Sequence, residues 1–196
     1  MLNRFLFTTS LVILGFMSLS AQKIGFGAGL GFARLTGVLG EQGGFGLVYG
    51  LEGKYYLNSK IAVGAEYNSA VLVYKEESNF VDVGAYGNTQ YLLKGEYYLL
   101  TKKFRPYAGL GLGFSQIATP EITISSGTST TTIPSEKKGN FGIVPRLGFM
   151  IGGFGFEFDY NLNGRTPKSV DQNVSSADKP FNYYTVKLKY VYELEF

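Results

Sequence analysis

Residues 24–33 read IGFGAGLGFA. Ile24, Phe26, Ala28, Leu30 and Phe32 share one parity, and Gly25, Gly27, Gly29 and Gly31 share the other. Period two is the signature of a β-strand, whose successive side chains point to opposite faces. A helix is disfavoured here, because each interior glycine costs about 1 kcal/mol relative to alanine. The stretch predicts a strand with one apolar face and one nearly bare face. The run GFGAGLG superficially looks like a nucleotide-binding glycine loop. No helix follows it and the glycines continue at period two, so that reading fails.

The same alternation recurs along the chain. In residues 45–57, Phe45, Leu47, Tyr49, Leu51 and Tyr55 oppose Gly46, Gly50, Glu52 and Lys54. In 61–71, Ile61, Val63, Ala65, Tyr67 and Val71 oppose Gly64, Glu66 and Asn68. In 89–99, Tyr91, Leu93, Tyr97 and Leu99 oppose Gln90, Lys94 and Glu96. In 105–115, Ala108, Leu110, Leu112 and Phe114 oppose Gly109, Gly111, Gly113 and Ser115. Residues 141–151, 154–162 and 182–196 repeat the pattern, with Arg146, then Glu157 and Asp159, then Lys187 and Lys189 on the polar side. This predicts eight strands, each near the ~9–11 residues that a tilted membrane strand needs. Pro145 falls on an apolar face, and a local bulge is expected there because proline donates no ladder hydrogen bond.

The connections alternate as well. Those at 57–60, 101–104 and 151–154 are tight, whereas those at 36–44, 74–88, 117–140 and 163–181 are long and polar. Short turns at one rim and long loops at the other describe an all-β, eight-stranded antiparallel up-and-down barrel.

Ahead of the strands, Arg4 precedes an apolar run over residues 5–19, and the small residues Ser18, Ser20 and Ala21 follow. This is the layout of a cleaved signal peptide, and the run is short for a spanning helix, which needs ~20 apolar residues. Residues 1–21 are therefore expected to be a signal peptide and 22–196 the barrel domain. Charged residues make up only 17% of the chain, and a formal net charge of +3 with no basic cluster gives no reason to expect nucleic acid. There is no cysteine, hence no disulfide framework and no thiolate metal site.

Alternation alone does not say which face is inside. A soluble barrel would turn its apolar face inward and would show many Lys, Asn and Thr on its exterior, not rows of glycine. A narrow lumen accepts small residues or charges that pair across it. Aromatics also gather near the strand ends. Tyr55, Tyr97, Phe104, Phe154, Tyr192 and Phe196 lie near the turn rim, and Phe45, Tyr91, Phe114, Phe141, Tyr160 and Tyr184 near the loop rim. Such girdles mark membrane interfaces. The apolar face is thus assigned to lipid. A secreted, soluble lipocalin-like barrel is the alternative.

Two stretches carry a family resemblance. The final KYVYELEF resembles the C-terminal recognition signal of outer-membrane barrels, with Leu194 and Phe196 on the lipid-facing parity and Val191 where a glycine is common. The stretch RPYAGLGLG at 105–113 is similar to the fifth strand of the small OmpA-, OmpX- and OmpW-like barrels. The resemblance implies a bacterial outer-membrane barrel, inserted by the barrel-assembly machinery through its last strand.

The chemistry is bounded by what is missing. The enzymatic outer-membrane barrels resemble one another in using a histidine as base or partner, and this chain has none. Ser115, Ser125 and Ser126 then read as ordinary polar residues, and the pair Glu157 and Asp159 as salt-bridge partners. No catalytic residue, cofactor or metal site is expected. Glu52, Lys54, Glu66, Lys94, Glu96, Arg146, Glu157, Asp159, Lys187 and Lys189 share the inward parity in near charge balance, and unpaired buried charge is expensive. The expectation is a non-enzymatic barrel with a closed or gated, salt-bridged lumen, serving envelope structure or contact of its long loops with a surface ligand. The alternative is a porin-like channel for small solutes. Its partners are outer-membrane lipid and the assembly machinery, and it is expected to be monomeric.

Overall fold

The computed structural model describes residues 23–37, 44–74, 84–119, 122–126, 129–133, 135–166 and 180–196. The expected signal peptide lies outside the described residues. The alternating segments form strands β1 (Lys23–Leu35), β2 (Phe45–Tyr56), β3 (Ile61–Tyr74), β4 (Gly84–Tyr98), β5 (Phe104–Ala118), β6 (Ile122–Ser126), β7 (Ser129–Ile133), β8 (Lys137–Ile151), β9 (Phe154–Arg165) and β10 (Pro180–Glu195). Eight of them close into an antiparallel barrel, in which β5 pairs with β8 and β10 returns to β1. The closing seam runs from Lys23 opposite Glu195 to Leu35 opposite Tyr183. Closure leaves no open sheet edge, so the spanning backbone groups pair from strand to strand in the absence of water, with one lapse beside Pro145.

Three short turns join the strands at one rim. Between β2 and β3, the Asn58 side chain accepts the backbone N–H groups of Lys60 (2.8 Å) and Ile61 (2.9 Å). Between β8 and β9, the reversal is made by Gly152 and Gly153, with Gly152 at a φ of 59° that favours glycine. The strands run further at the loop rim than the apolar alternation suggests. β4 begins at Gly84, paired with Tyr74 of β3, and β8 begins at Lys137, paired with Ala118 of β5.

Two expectations are corrected. The segment expected to be a long loop at 117–140 contains β6 and β7, which pair as a separate two-stranded sheet with Ile122 opposite Ile133. Its isoleucines and threonines are β-branched and suit extended backbone. No bulge forms at Pro145. The β5–β8 ladder is continuous through Leu110 opposite Pro145. On the β9 side, pairing lapses between Ile143 opposite Leu162 and Arg146 opposite Asp159, and it resumes in the same register. Proline removes hydrogen-bonded pairing here without inserting a residue. The register shift found in the barrel lies at Pro180 to Asn182, between β10 and β9.

The faces separate by polarity. Leu93 is 73% exposed on the outside, whereas Glu157 is fully buried inside. Leu30, Leu47, Phe114, Leu147 and Leu188 join Leu93 in an outward apolar belt. Tyr97, Phe104, Phe154, Tyr192 and Phe196 are exposed towards the turn rim, and Phe45, Tyr91, Phe114 and Phe141 towards the loop rim. Water would penalise such an exterior, and lipid accepts it.

Leu93→Arg tests this orientation. On a lipid face near mid-height, the change should destabilise the barrel by about 2–4 kcal/mol. On a water-facing surface it would fall within about 0.5 kcal/mol of neutral. Urea unfolding of the folded chain in lipid vesicles reads the difference.

Candidate functional site

The lumen is built by a division of labour between strands. β1 and β5 supply glycine to the inside, and the other strands supply charge. A Cβ at Gly27 would stand 2.7 Å from Glu52 Cγ, and one at Gly109 would stand 2.9 Å from Arg146 Cγ. The bare strands therefore make the room into which the charged side chains reach.

The ten charges singled out from the sequence all lie in the lumen, each buried, and the structure brings them into one layer. β2 contributes Glu52 and Lys54, β3 Glu66, β4 Lys94 and Glu96, β8 Arg146, β9 Glu157 and Asp159, and β10 Lys187 and Lys189. Lys54, Lys94, Arg146, Lys187 and Lys189 face an equal number of carboxylates. Glu52 meets Lys54 at 3.1 Å and Lys189 at 3.3 Å and is bonded by Lys94. Glu96 meets Lys54 at 2.8 Å and Lys94 at 3.0 Å. Glu66 is bonded by Arg146 across the barrel and meets Lys187 at 2.7 Å and Lys94 at 3.5 Å. Glu157 meets Lys189 at 2.7 Å and Lys187 at 3.0 Å, and Asp159 meets Lys187 at 2.8 Å. Glu52 and Glu66 stand directly opposite each other on β2 and β3, where like charges repel. Lys94 reaches both and offsets that repulsion.

Two apolar clusters seal this layer, and neither is among the residues expected from the sequence. At the turn rim, Tyr56, Tyr98, Tyr107, Met150, Val191 and Ala62 are buried together. The Tyr98 ring centroid lies 6.0 Å from that of Tyr56 and 5.3 Å from that of Tyr107. The hydroxyls point inward to the charges: Tyr98 donates to Glu96 at 2.7 Å and Tyr107 to Glu157 at 2.6 Å. At the loop rim, Leu35, Val48, Leu72, Ile117, Phe181 and Tyr183 form part of the other cluster. Between that cluster and the charges lies an amide layer. There Asn88 donates to the Tyr183 hydroxyl at 2.8 Å and Gln90 to the Asn163 side-chain oxygen Oδ1 at 2.6 Å. The signal for these plugs was present in the doublets Tyr55-Tyr56, Tyr97-Tyr98 and Tyr183-Tyr184. In each, one ring faces lipid and the other continues the inward parity.

Ser115 is buried and donates to Asn88 at 2.7 Å. Ser125 and Ser126 fall in β6, whose side chains lie outside the described residues. Glu52, Glu96 and Glu157 come within reach of one another, as do Glu66, Glu157 and Asp159, in the manner of metal-ligand sets. The lysines and Arg146 already neutralise both groups. Leu194 and Phe196 sit at the turn rim, with Leu194 opposite Ile24 on the seam and Phe196 80% exposed.

No family model matches the chain, and no curated protein matches it in sequence. Among solved structures, Neisserial surface protein A is similar over 88% of this chain and 97% of that one, at 14% identity and a TM-score of 0.53. The chain has the fold of an outer-membrane β-barrel. The attachment invasion locus protein of Yersinia pestis gives 17% identity over 90% of this chain and all of that one, with a TM-score of 0.47. The N-terminal β-barrel domain of Pseudomonas aeruginosa OprF gives 14% identity, 88% and 100% coverage, and 0.42. This fold and its outward apolar belt suit an outer membrane. Barrels of this kind carry their short turns on the periplasmic side.

Arg146→Met should destabilise the barrel by about 3–5 kcal/mol, because it leaves Glu66 with one close cation fewer in a dry interior. Adding Glu66→Gln should recover part of that loss. A double-mutant cycle of urea unfolding measures the coupling, and strict additivity would show that the two do not interact.

Proposed function

We propose that this is a non-enzymatic outer-membrane barrel with a closed lumen, serving envelope structure and presenting its long loops to surface ligands as a monomer. One observation carries the reading: a layer of paired charges is sealed above and below by buried side chains. Such a lumen resists water and ions, and it leaves the rims and loops as the parts open to contact. The chain has no histidine or cysteine, and its buried carboxylates are engaged by cations. Leu194 and Phe196 serve as the signal read by the assembly machinery, by their lipid-facing position on the last strand.

A gated small-solute channel is the second reading. Glu52 contacts Lys54, Lys94 and Lys189, and Glu66 contacts Lys94, Arg146 and Lys187. Each carboxylate thus has alternative partners, which a rearranging lumen needs.

Planar-bilayer recording separates the two. Protein shown to be folded by heat-sensitive gel mobility should be electrically silent. Discrete, reproducible openings that change with Glu52→Gln or Arg146→Met would favour the channel and end the closed-lumen reading.

A further inference from the structure

A pocket of about 380 Å³ opens at the turn rim, away from the sealed lumen. The turn carrying Thr101, Lys102 and Lys103 forms one wall. Tyr190 and Tyr192 of β10 form another, and Gly152 and Gly153 leave bare backbone between them. A Cβ at Gly152 would meet nothing within 4 Å, so that side of the pocket is open. The Gly152 N–H bonds to the Lys103 carbonyl at 3.4 Å, which ties the two turns together.

The charge of the lining is one-sided. Lys23, Lys102, Lys103 and Arg105 line it with one carboxylate, Glu193, and Lys23 is paired besides with Glu195 just beyond the lining. Arg105 holds Glu193 at 2.5 Å and Lys23 lies 3.8 Å from it, so that carboxylate is already taken. Lys102 and Lys103 have no ion pair among the described residues, and both are exposed. Free cations on a spanning barrel have no use for the lipid core, and those at a rim meet headgroups. The tyrosine wall gives the second half of the argument. Tyr190 is 49% and Tyr192 57% exposed on the lipid-facing parity. The pocket therefore joins a cationic floor to the apolar outer wall, and a free anion has no use for that wall. An amphiphile with a phosphate at one end and acyl chains at the other matches both.

We propose that this pocket binds the phosphate headgroup of an anionic phospholipid in the periplasmic leaflet. Lys102 and Lys103 donate to the phosphate, the Thr101 hydroxyl adds a third donor, and the acyl chains run along Tyr190 and Tyr192. The inference rests on the outer-membrane placement and not on whether the lumen conducts.

The test uses the folded barrel in non-ionic detergent, with isotope-labelled backbone amide spectra. Folding is checked first by heat-sensitive gel mobility, so a failure of the barrel reading appears separately. Dihexanoyl-phosphatidylglycerol, its phosphatidylcholine counterpart and inorganic phosphate are titrated in turn. Saturable shifts at 101–103 and 152–153 are expected with phosphatidylglycerol, and at much higher concentration with the other two. In Lys102→Gln with Lys103→Gln, phosphatidylglycerol should bind about 25-fold more weakly, at roughly fivefold per cation. These lysines are exposed turn residues, so the variant should fold. Equal response to phosphate and lipid would make this a free-anion site and overturn the lipid assignment. Absence of shifts at the rim, or unchanged binding in the double variant, would overturn the site itself.

Discussion

Lipid offers no hydrogen bonds, and that single constraint organises the molecule. A spanning strand can satisfy its N–H and C=O groups only on a neighbouring strand, so the sheet has to close. Closure fixes an inside and an outside, and strand geometry then assigns every residue to one or the other. Once the outside is given to Leu93, Leu30 and Leu188, any charge on a spanning strand has only the lumen to occupy. Charges placed there lose water, and each must find an opposite charge within reach.

The lumen shows how narrow that solution is. Eight strands enclose little more than the volume of their own side chains. Large charged groups fit here because β1 and β5 present glycines where Glu52 and Arg146 need space. The spacing of the charges is also cooperative. Lys94 reconciles Glu52 with Glu66, and Lys187 ties Glu66 to Glu157 and Asp159. A buried network of this kind contributes less to net stability than its many contacts suggest, because desolvation offsets attraction. It specifies instead which strand faces which, since a one-residue register slip would turn a strand's charges to the lipid.

Much of this was legible in residues 24–33 and their repeats, because alternation carries strand, face and register together. The rows of glycine opposite Ile24, Phe26 and Leu30 told inside from outside, which hydropathy alone does not. The rest was hidden for physical reasons. Tyr56 and Tyr98 are chemically the same as Tyr55 and Tyr97, and only strict counting of parity sends one of each pair inward. β6 and β7 were obscured because Ser and Thr serve loops and strands equally, and pairing between Ile122 and Ile133 is a property of the fold and not of either segment. Pro145 removed ladder pairing without shifting register, an outcome set by the intact β5–β8 ladder on its other side.

Sealing both ends has a consequence for where chemistry can happen. The charged layer is the most distinctive part of the chain, yet Tyr98 and Tyr107 close it at the turn rim and Leu72, Ile117 and Phe181 at the loop rim. Groups so enclosed are already paired with one another. The plugs also set an order of vulnerability. Water that passed the turn-rim tyrosines would reach Glu96 and Glu157 first, since the Tyr98 and Tyr107 hydroxyls bond to them directly. Outside those hydroxyls, Tyr56 donates to Glu193, and Arg105 holds Glu193 while lying 5.6 Å over the Tyr98 ring. The rim that caps the plug is therefore the same rim that lines the cationic pocket. An anion drawn to Arg105 would compete with Glu193 for it, and the strength of that cap bears on how firmly the lumen stays shut.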